Sequence, residues 1–222
     1  PLQIRADTRP ADAAHFRNAA LNQVDAAILN AIRKKNLPGG VLWLERNGEI
    51  YRKSYGNRST IPTPEAMTLD TIFDAASLTK VVATTPCILK LIEDSRITLG
   101  DKAQKFLPEL TGDPNKSRIT VRHLLTHTSG LLPGIRRGYD WTGRTAGIAL
   151  ACSEPSAGHA GYDFLYSDIN FILLGEIVRR VSGKSLSAFA RETVFKPLKM
   201  NDTFFLPDKT YIPRIAPTTL TE

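Results

Sequence analysis

The sequence predicts an α+β fold, in which an amphipathic helix and one hairpin lead into a chain that is mostly helical. Apolar residues recur at four-residue steps near the start, and Asn47-Gly48 separates two strand-like runs. Beyond residue 76 the pattern is mainly that of helices and their caps.

In chain order, Phe16, Ala20, Val24, Ile28 and Ile32 form one stripe of a helix over 12–35, which Leu37-Pro38-Gly39-Gly40 ends. Residues 41–46 and 49–55 are the strands of the hairpin, since Asn-Gly readily takes the positive φ angles of a tight turn. Residues 56–70, with Pro62 and Pro64, read as a loop. A helix is expected from about Ser77 to Asp94, kinked or interrupted by Pro86, which has no N–H to donate. A Gly100-Asp101 turn and a loop to residue 117 precede a short helix over 121–126. Residues 128–165 are Gly-rich and expected to be mostly irregular. A firm helix from Asp168 ends at Gly183, which suits a left-handed cap, and Ser185 caps another over 185–195. There are no internal repeats.

The 222 residues allow one large domain or two small ones at ~150 residues per domain. A 42% hydrophobic and 23% charged composition suits a chain with a buried core and argues against disorder. No run approaches ~18 apolar residues, so no transmembrane segment is expected. The net charge of +7 is scattered, its densest groups being Arg33-Lys34-Lys35, Arg136-Arg137 and Arg179-Arg180. No basic stripe interleaves with aromatics, so no nucleic-acid partner is expected. Cys87 and Cys152 lie in apolar surroundings and read as buried free thiols, and two cysteines make no disulfide framework.

The chemistry concentrates in Phe73-Asp74-Ala75-Ala76-Ser77-Leu78-Thr79-Lys80. Ser77 and Lys80 are three residues apart at a helix start, hence on one face. A serine hydroxyl needs an adjacent base to become a nucleophile. At a helix N-terminus it also meets the positive end of the dipole, and its own N–H is placed to bind a developing oxyanion. Spacing alone is unspecific: 12 Ser and 12 Lys give about 0.65 such pairs by chance, and a serine cap with a solvated lysine explains one.

Context changes the weighting. Phe73–Lys80 is followed by Ile119-Thr120-Val121-Arg122-His123-Leu124-Leu125-Thr126-His127-Thr128-Ser129-Gly130-Leu131 and by Phe164-Leu165-Tyr166-Ser167-Asp168-Ile169-Asn170-Phe171-Ile172-Leu173-Leu174-Gly175-Glu176. In that order, from about residue 12 to the end, the chain resembles the class C β-lactamase-related serine hydrolases. That superfamily includes class C β-lactamases, penicillin-binding DD-peptidases and β-lactamase-like carboxylesterases. The resemblance implies a β-lactamase/transpeptidase-like fold, a helical lobe packed on an antiparallel sheet. It also implies catalytic roles for Ser77 as acylating nucleophile, Lys80 as its proton-handling partner and Tyr166 as general base and acid. Asp168 takes the substrate-binding position of the family's Tyr-x-Asn motif, and the Ser77 backbone N–H supplies one oxyanion donor.

Two departures stand out. Tyr-x-Asn reads Tyr166-Ser167-Asp168, an acid in place of the amide. The family's third motif, Lys-Thr-Gly or His-x-Gly after the tyrosine, is absent: Lys209-Thr210-Tyr211 lacks the glycine, and His159-Ala160-Gly161 precedes Tyr166 and reads as a loop. Tyr55-Gly56-Asn57 is also out of order and reads as a strand-end turn. His123 and His127 have the i, i+4 spacing of helical zinc ligands, yet no Glu lies between them in the His-Glu-x-x-His pattern, so a turning helix end is expected and no metal or cofactor. Trp43 and Trp141 read as core or cleft aromatics, and Ser167 and Asp168 also suit a helix cap. Neither a Gly-x-Ser-x-Gly elbow nor a phosphate-binding Gly-rich loop occurs.

The expected function is serine acyl hydrolysis through an acyl-Ser77 intermediate, with a small-molecule carboxylic ester as the leading substrate. A β-lactam or D-Ala peptide is the enzymatic alternative, and a non-catalytic penicillin-recognising or fold-only module the alternative of another class. Residues 1–222 are expected to form part of a catalytic domain, with the N-terminal helix and hairpin over 10–75 and the mainly helical part over 76–205. One hairpin cannot make a stable sheet, so further C-terminal strands are expected elsewhere, from the same gene, a complementing chain or a homo-oligomer. The 222 residues alone are expected to be inactive. The chain opens at Pro1 rather than Met, as a processed start or a fragment does, and reads equally as periplasmic, secreted or cytoplasmic.

Overall fold

A computed structural model describes residues 16–136, 138 and 140–218. The expected start of the first helix at 12–15, Arg137 of the Arg136-Arg137 pair and the last four residues of the chain lie outside them. The chain divides into two units, one of residues 1–74 with 207–222 and one of residues 75–206.

The first unit holds helix α1 (Asn18–Arg33) and strands β1 (Gly39–Arg46), β2 (Glu49–Ser59) and β3 (Glu65–Ala66), in the sheet order β1-β2-β3. The hairpin register runs from Arg46 opposite Glu49 to Gly39 opposite Gly56, with Asn47 and Gly48 at φ 50° and 79°. The primed turn read from Asn-Gly therefore sets the pairing. Two details differ from the expectation. Tyr55-Gly56-Asn57 lies inside β2 rather than ending it, and part of the expected 56–70 loop pairs with β2 as β3. A Cβ on Gly39 would strike the backbone of Tyr55 and Asn57, so the close approach of the strands there requires glycine.

No α1 residue is fully buried; its stripe at Val24, Ile28 and Ile32 is half-buried, while Ala20 is exposed. Helix and sheet are tied by Asp25, whose carboxylate accepts from the hydroxyls of Tyr51 at 3.0 Å and Tyr55 at 2.5 Å and pairs with Lys53. These three residues alternate along β2 and so share its face. Trp43 is 45% exposed beside Arg52, a surface aromatic rather than the expected core or cleft one.

The second unit carries α2 (Thr85–Glu93), α3 (Val121–Leu125), α4 (Gly143–Ser153), α5 (Asp168–Ser182) and α6 (Leu186–Ala190). Its core includes Ile88, Leu91, Leu107, Leu124, Leu131, Ile169, Leu173 and Ile177, all fully buried. Pro86 lies in the first turn of α2, where the helical segment changes type, in keeping with the expected interruption. A π-helical stretch, Lys80–Thr84, precedes α2, and the Thr85 N–H reaches back five residues to the Lys80 carbonyl. The wider turn leaves the proline ring room where an α-helical turn would clash. α5 runs from its Ser167 cap to Gly183 at φ 74°, as its end signals predict. α6 is capped by Ser185 and continues as a π-helical turn, Arg191–Phe195.

The stretch 128–165 is mostly irregular, as expected, apart from α4 over Gly143–Ser153. Its buried residues Ile148, Ala151 and Cys152 have i, i+3, i+4 spacing, a helical signal diluted by small residues. Trp141 is 45% exposed but packs against α4, where a Cβ on Gly147 would come within 2.9 Å of its ring. Cys87 and Cys152 are free and buried, and burial pushes both thiols up to about 11. Among the described residues no helix is long and apolar enough to cross a membrane.

Candidate functional site

The second unit by itself gathers Ser77, Lys80, Tyr166 and Asp168. Ala76 sits at φ 42°, and i→i+3 bonds from Leu78 to Ala75, Thr79 to Ala76 and Lys80 to Ser77 form a tight turn. Ser77 is thereby presented, exposed, at the mouth of the helical segment, with Lys80 in its first full turn.

Tyr166 and Asp168 arrive from the segment that enters α5. The Asp168 N–H donates to the Pro133 carbonyl at 2.7 Å, and the Ser167 hydroxyl donates to the Leu132 carbonyl at 2.6 Å. Ser167 also accepts from the Asn170 N–H as the cap of α5.

At the centre, the Tyr166 hydroxyl donates to Ser77 Oγ at 2.9 Å, and Lys80 Nζ donates to the same oxygen at 3.1 Å. Lys80 Nζ also lies 2.6 Å from Asp168 Oδ1 and 5.0 Å from the centre of the Tyr166 ring. The Lys80 side chain is only 13% exposed, whereas that of Asp168 is 59% exposed. Burial works against the Lys80 ammonium, but hydrogen bonds to Asp168 and Tyr166 outweigh it and hold the amine above its usual value of 10.5. The hydrogen bond from Lys80, then that of Ser77, holds the Tyr166 phenol below its usual 10.0. The site thus pairs a lysine held in its charged form with a phenol made more acidic than usual.

Sequence reasoning missed what stands behind Tyr166. His127 is nearly buried, in the left-handed region at φ 56°, and its ring stacks on Tyr166 at 4.5 Å with 30° between the planes. Its Nδ1 accepts from the Ser167 N–H at 3.1 Å and lies 3.3 Å from the Asn170 amide nitrogen. Asn170 is fully buried, and its Oδ1 accepts from the Ser129 hydroxyl at 2.6 Å. The available signal was the run His127-Thr128-Ser129-Gly130 itself. The helix end expected there is present, since α3 stops at Leu125, but the turn also delivers a side chain to the site. His123 goes elsewhere, its Nδ1 accepting the Thr120 N–H in a capping box.

A serine hydroxyl touched by a phenol and an ammonium is a constellation able to carry acyl groups. Residues 21–220 match the family model described as Beta-lactamase, and the chain belongs to that family of serine hydrolases. It is 30% identical over 219 residues to the N-acetylmuramyl-L-alanine amidase of Bacillus subtilis (strain 168), covering 89% of this chain and 49% of that protein. It is 32% identical over 213 residues to the esterase EstB of Burkholderia gladioli, covering 86% of this chain and 54% of that protein. A crystal structure of a class C beta lactamase superposes with TM-score 0.77 at 26% identity, covering 91% of this chain and 56% of that one. The fold is thus β-lactamase/transpeptidase-like, with helices and an open three-stranded antiparallel sheet. The chain spans about half the length of the curated relatives it matches.

Proposed function

We propose that the protein is a serine acyl hydrolase that acts on small carboxylic esters through an acyl-Ser77 intermediate. The observation that carries this reading is the convergence of the Tyr166 hydroxyl and Lys80 Nζ on Ser77 Oγ, at 2.9 and 3.1 Å. In the reactive form the Tyr166 contact reverses. The phenolate, stabilised by the Lys80 cation, accepts the Ser77 proton as Oγ bonds to the ester carbonyl carbon. The tetrahedral oxyanion is met by the Ser77 N–H at the helix mouth. Tyr166 then returns its proton to the alkoxide as the carbon–oxygen bond to the leaving group breaks. Water, deprotonated by Tyr166, attacks the acyl-serine; the acid leaves and Ser77 regains its proton.

Asp168 is what favours esters. An asparagine amide donates a hydrogen bond to a substrate carbonyl, whereas a carboxylate only accepts. Here that carboxylate is engaged with Lys80, and its exposed face repels the carboxylate that β-lactams and D-Ala peptides carry. The similarity to EstB supports the ester reading. In the full-length protein, Ser77→Ala is expected to reduce turnover of a short chromogenic ester by several orders of magnitude while leaving the circular dichroism unchanged. Parental turnover by a folded Ser77→Ala protein contradicts the reading.

A further inference from the structure

We propose that His127 is a positioning residue, one that holds the Tyr166 phenol on Ser77 through its ring face and holds the entry to α5 through Nδ1. The inference rests on the role given to Tyr166 above and adds to it a residue that does not touch Ser77. The His127 ring is enclosed by aromatics: Tyr166 stacked at 4.5 Å, Phe171 tilted at 5.1 Å and Phe164 edge-on at 5.9 Å. Phe164 is itself 71% exposed, so the His127 ring is what backs the tyrosine from the protein side.

The tautomer follows from the donors. A backbone N–H can only donate, so Nδ1 must present its lone pair to Ser167, and a neutral ring then carries its proton on Nε2. Asn170 agrees: its Oδ1 is taken by the Ser129 hydroxyl, which leaves its NH₂ to face Nδ1. The histidine is also kept neutral. Burial first, then the nearby Lys80 cation, hold it below its usual 6.5, with Asp168 opposing. One ring therefore fixes the residue before Asp168 through a hydrogen bond and the residue before that through a stack. Histidine suits both tasks, because it combines a flat aromatic face with an acceptor beside the backbone.

Two substitutions separate the tasks. His127→Phe keeps a stacking ring and loses the acceptor. His127→Asn loses the ring, keeps an oxygen near the Nδ1 position and tolerates the left-handed backbone. The experiment measures kcat and KM for a chromogenic ester in the full-length protein. It also follows Tyr166 ionisation by tyrosinate absorbance, as the difference from Tyr166→Phe. Expected for His127→Phe is a loss of about 10- to 100-fold in kcat with KM within about twofold, the scale of a reacting group displaced by ~1 Å. The Tyr166 midpoint is expected to rise, because the phenol leaves the hydrogen bonds with Lys80 and Ser77 that hold it down. His127→Asn, which removes the face stacked on Tyr166, is expected to raise the midpoint and lower kcat at least as far as His127→Phe does.

An unchanged midpoint and kcat in folded His127→Phe overturns the proposal, since a role confined to packing moves stability alone. If His127→Phe does not fold, His127→Asn decides: a raised midpoint supports the proposal and an unchanged one overturns it. Wild-type kcat in Tyr166→Phe contradicts the proton-carrying role of Tyr166 instead. The midpoint comparison then still judges whether His127 positions the phenol.

Discussion

At the scale of single residues, Asp168 departs most consequentially from what the resemblance leads one to expect. Its carboxylate accepts from Lys80 Nζ at 2.6 Å while the side chain stays 59% exposed. Removing its charge has two consequences. Asp168→Asn takes away a cause of the raised Lys80 pKa, so the ammonium gives up its proton at lower pH. It also restores an amide donor and removes a repulsive charge. Wild-type protein is therefore expected to turn over short acyl esters well and nitrocefin poorly, with Asp168→Asn improving nitrocefin about tenfold or more relative to the ester. Efficient nitrocefin turnover by wild type, unchanged in the variant, contradicts this. That Ser77, Lys80, Tyr166 and Asp168 come together was legible, because each lies in one of the ordered motifs of the sequence. His127 was not: its work depends on a left-handed turn and on Asn170, 43 residues away in sequence, and neither leaves a periodic signal.

At the scale of elements, legibility followed the strength of local signals. α5 was bounded correctly because a serine cap and a left-handed glycine close it at both ends. The hairpin was found because Asn-Gly dictates its turn. α4 escaped because it starts at glycine, has another at Gly147 and relies on tertiary packing under Trp141. β3 escaped because a two-residue strand has no alternation to read. The turn after α3 offers a test at this scale. Gly130 sits at φ 75°, its carbonyl accepts from the Ala157 and Gly158 N–H groups, and a Cβ there would strike the Gly158 carbonyl. Gly130→Ala combines backbone strain with a clash and is expected to cost about 2–4 kcal/mol. Urea unfolding measures it; a loss below about 0.5 kcal/mol would show that the two loops separate freely.

At the scale of the whole molecule, burial is uneven. The contiguous core belongs to residues 75–206, whereas α1 buries no residue fully. Stability in that core is coupled to pH through Glu176 of α5, a nearly buried carboxylate. Hydrogen bonds from Arg179, against the cost of burial, and then from Arg180 hold it at about 2, below its ordinary 4.5. Arg180 also pairs with Glu109 and donates to the Phe106 carbonyl, so the network joins α5 to the loop after α2. A depressed carboxylate stabilises the fold above its unfolded pKa and loses that contribution as pH falls through its folded one. The fold is expected to lose on the order of 2–3 kcal/mol between pH 5 and 2 from this group. Urea midpoints across that range should flatten in Glu176→Gln, and an equal slope in both proteins rules the network out as the cause.

The most direct measurement at this scale is where the protein is acylated. Full-length protein is treated with a fluorophosphonate, which reacts with activated serines, and the adduct is located by peptide mass spectrometry. Expected is one adduct, on the peptide carrying Ser77, formed far more slowly in Tyr166→Phe. A folded protein that hydrolyses esters yet carries its adduct on another serine, or on none, contradicts the acyl-Ser77 mechanism.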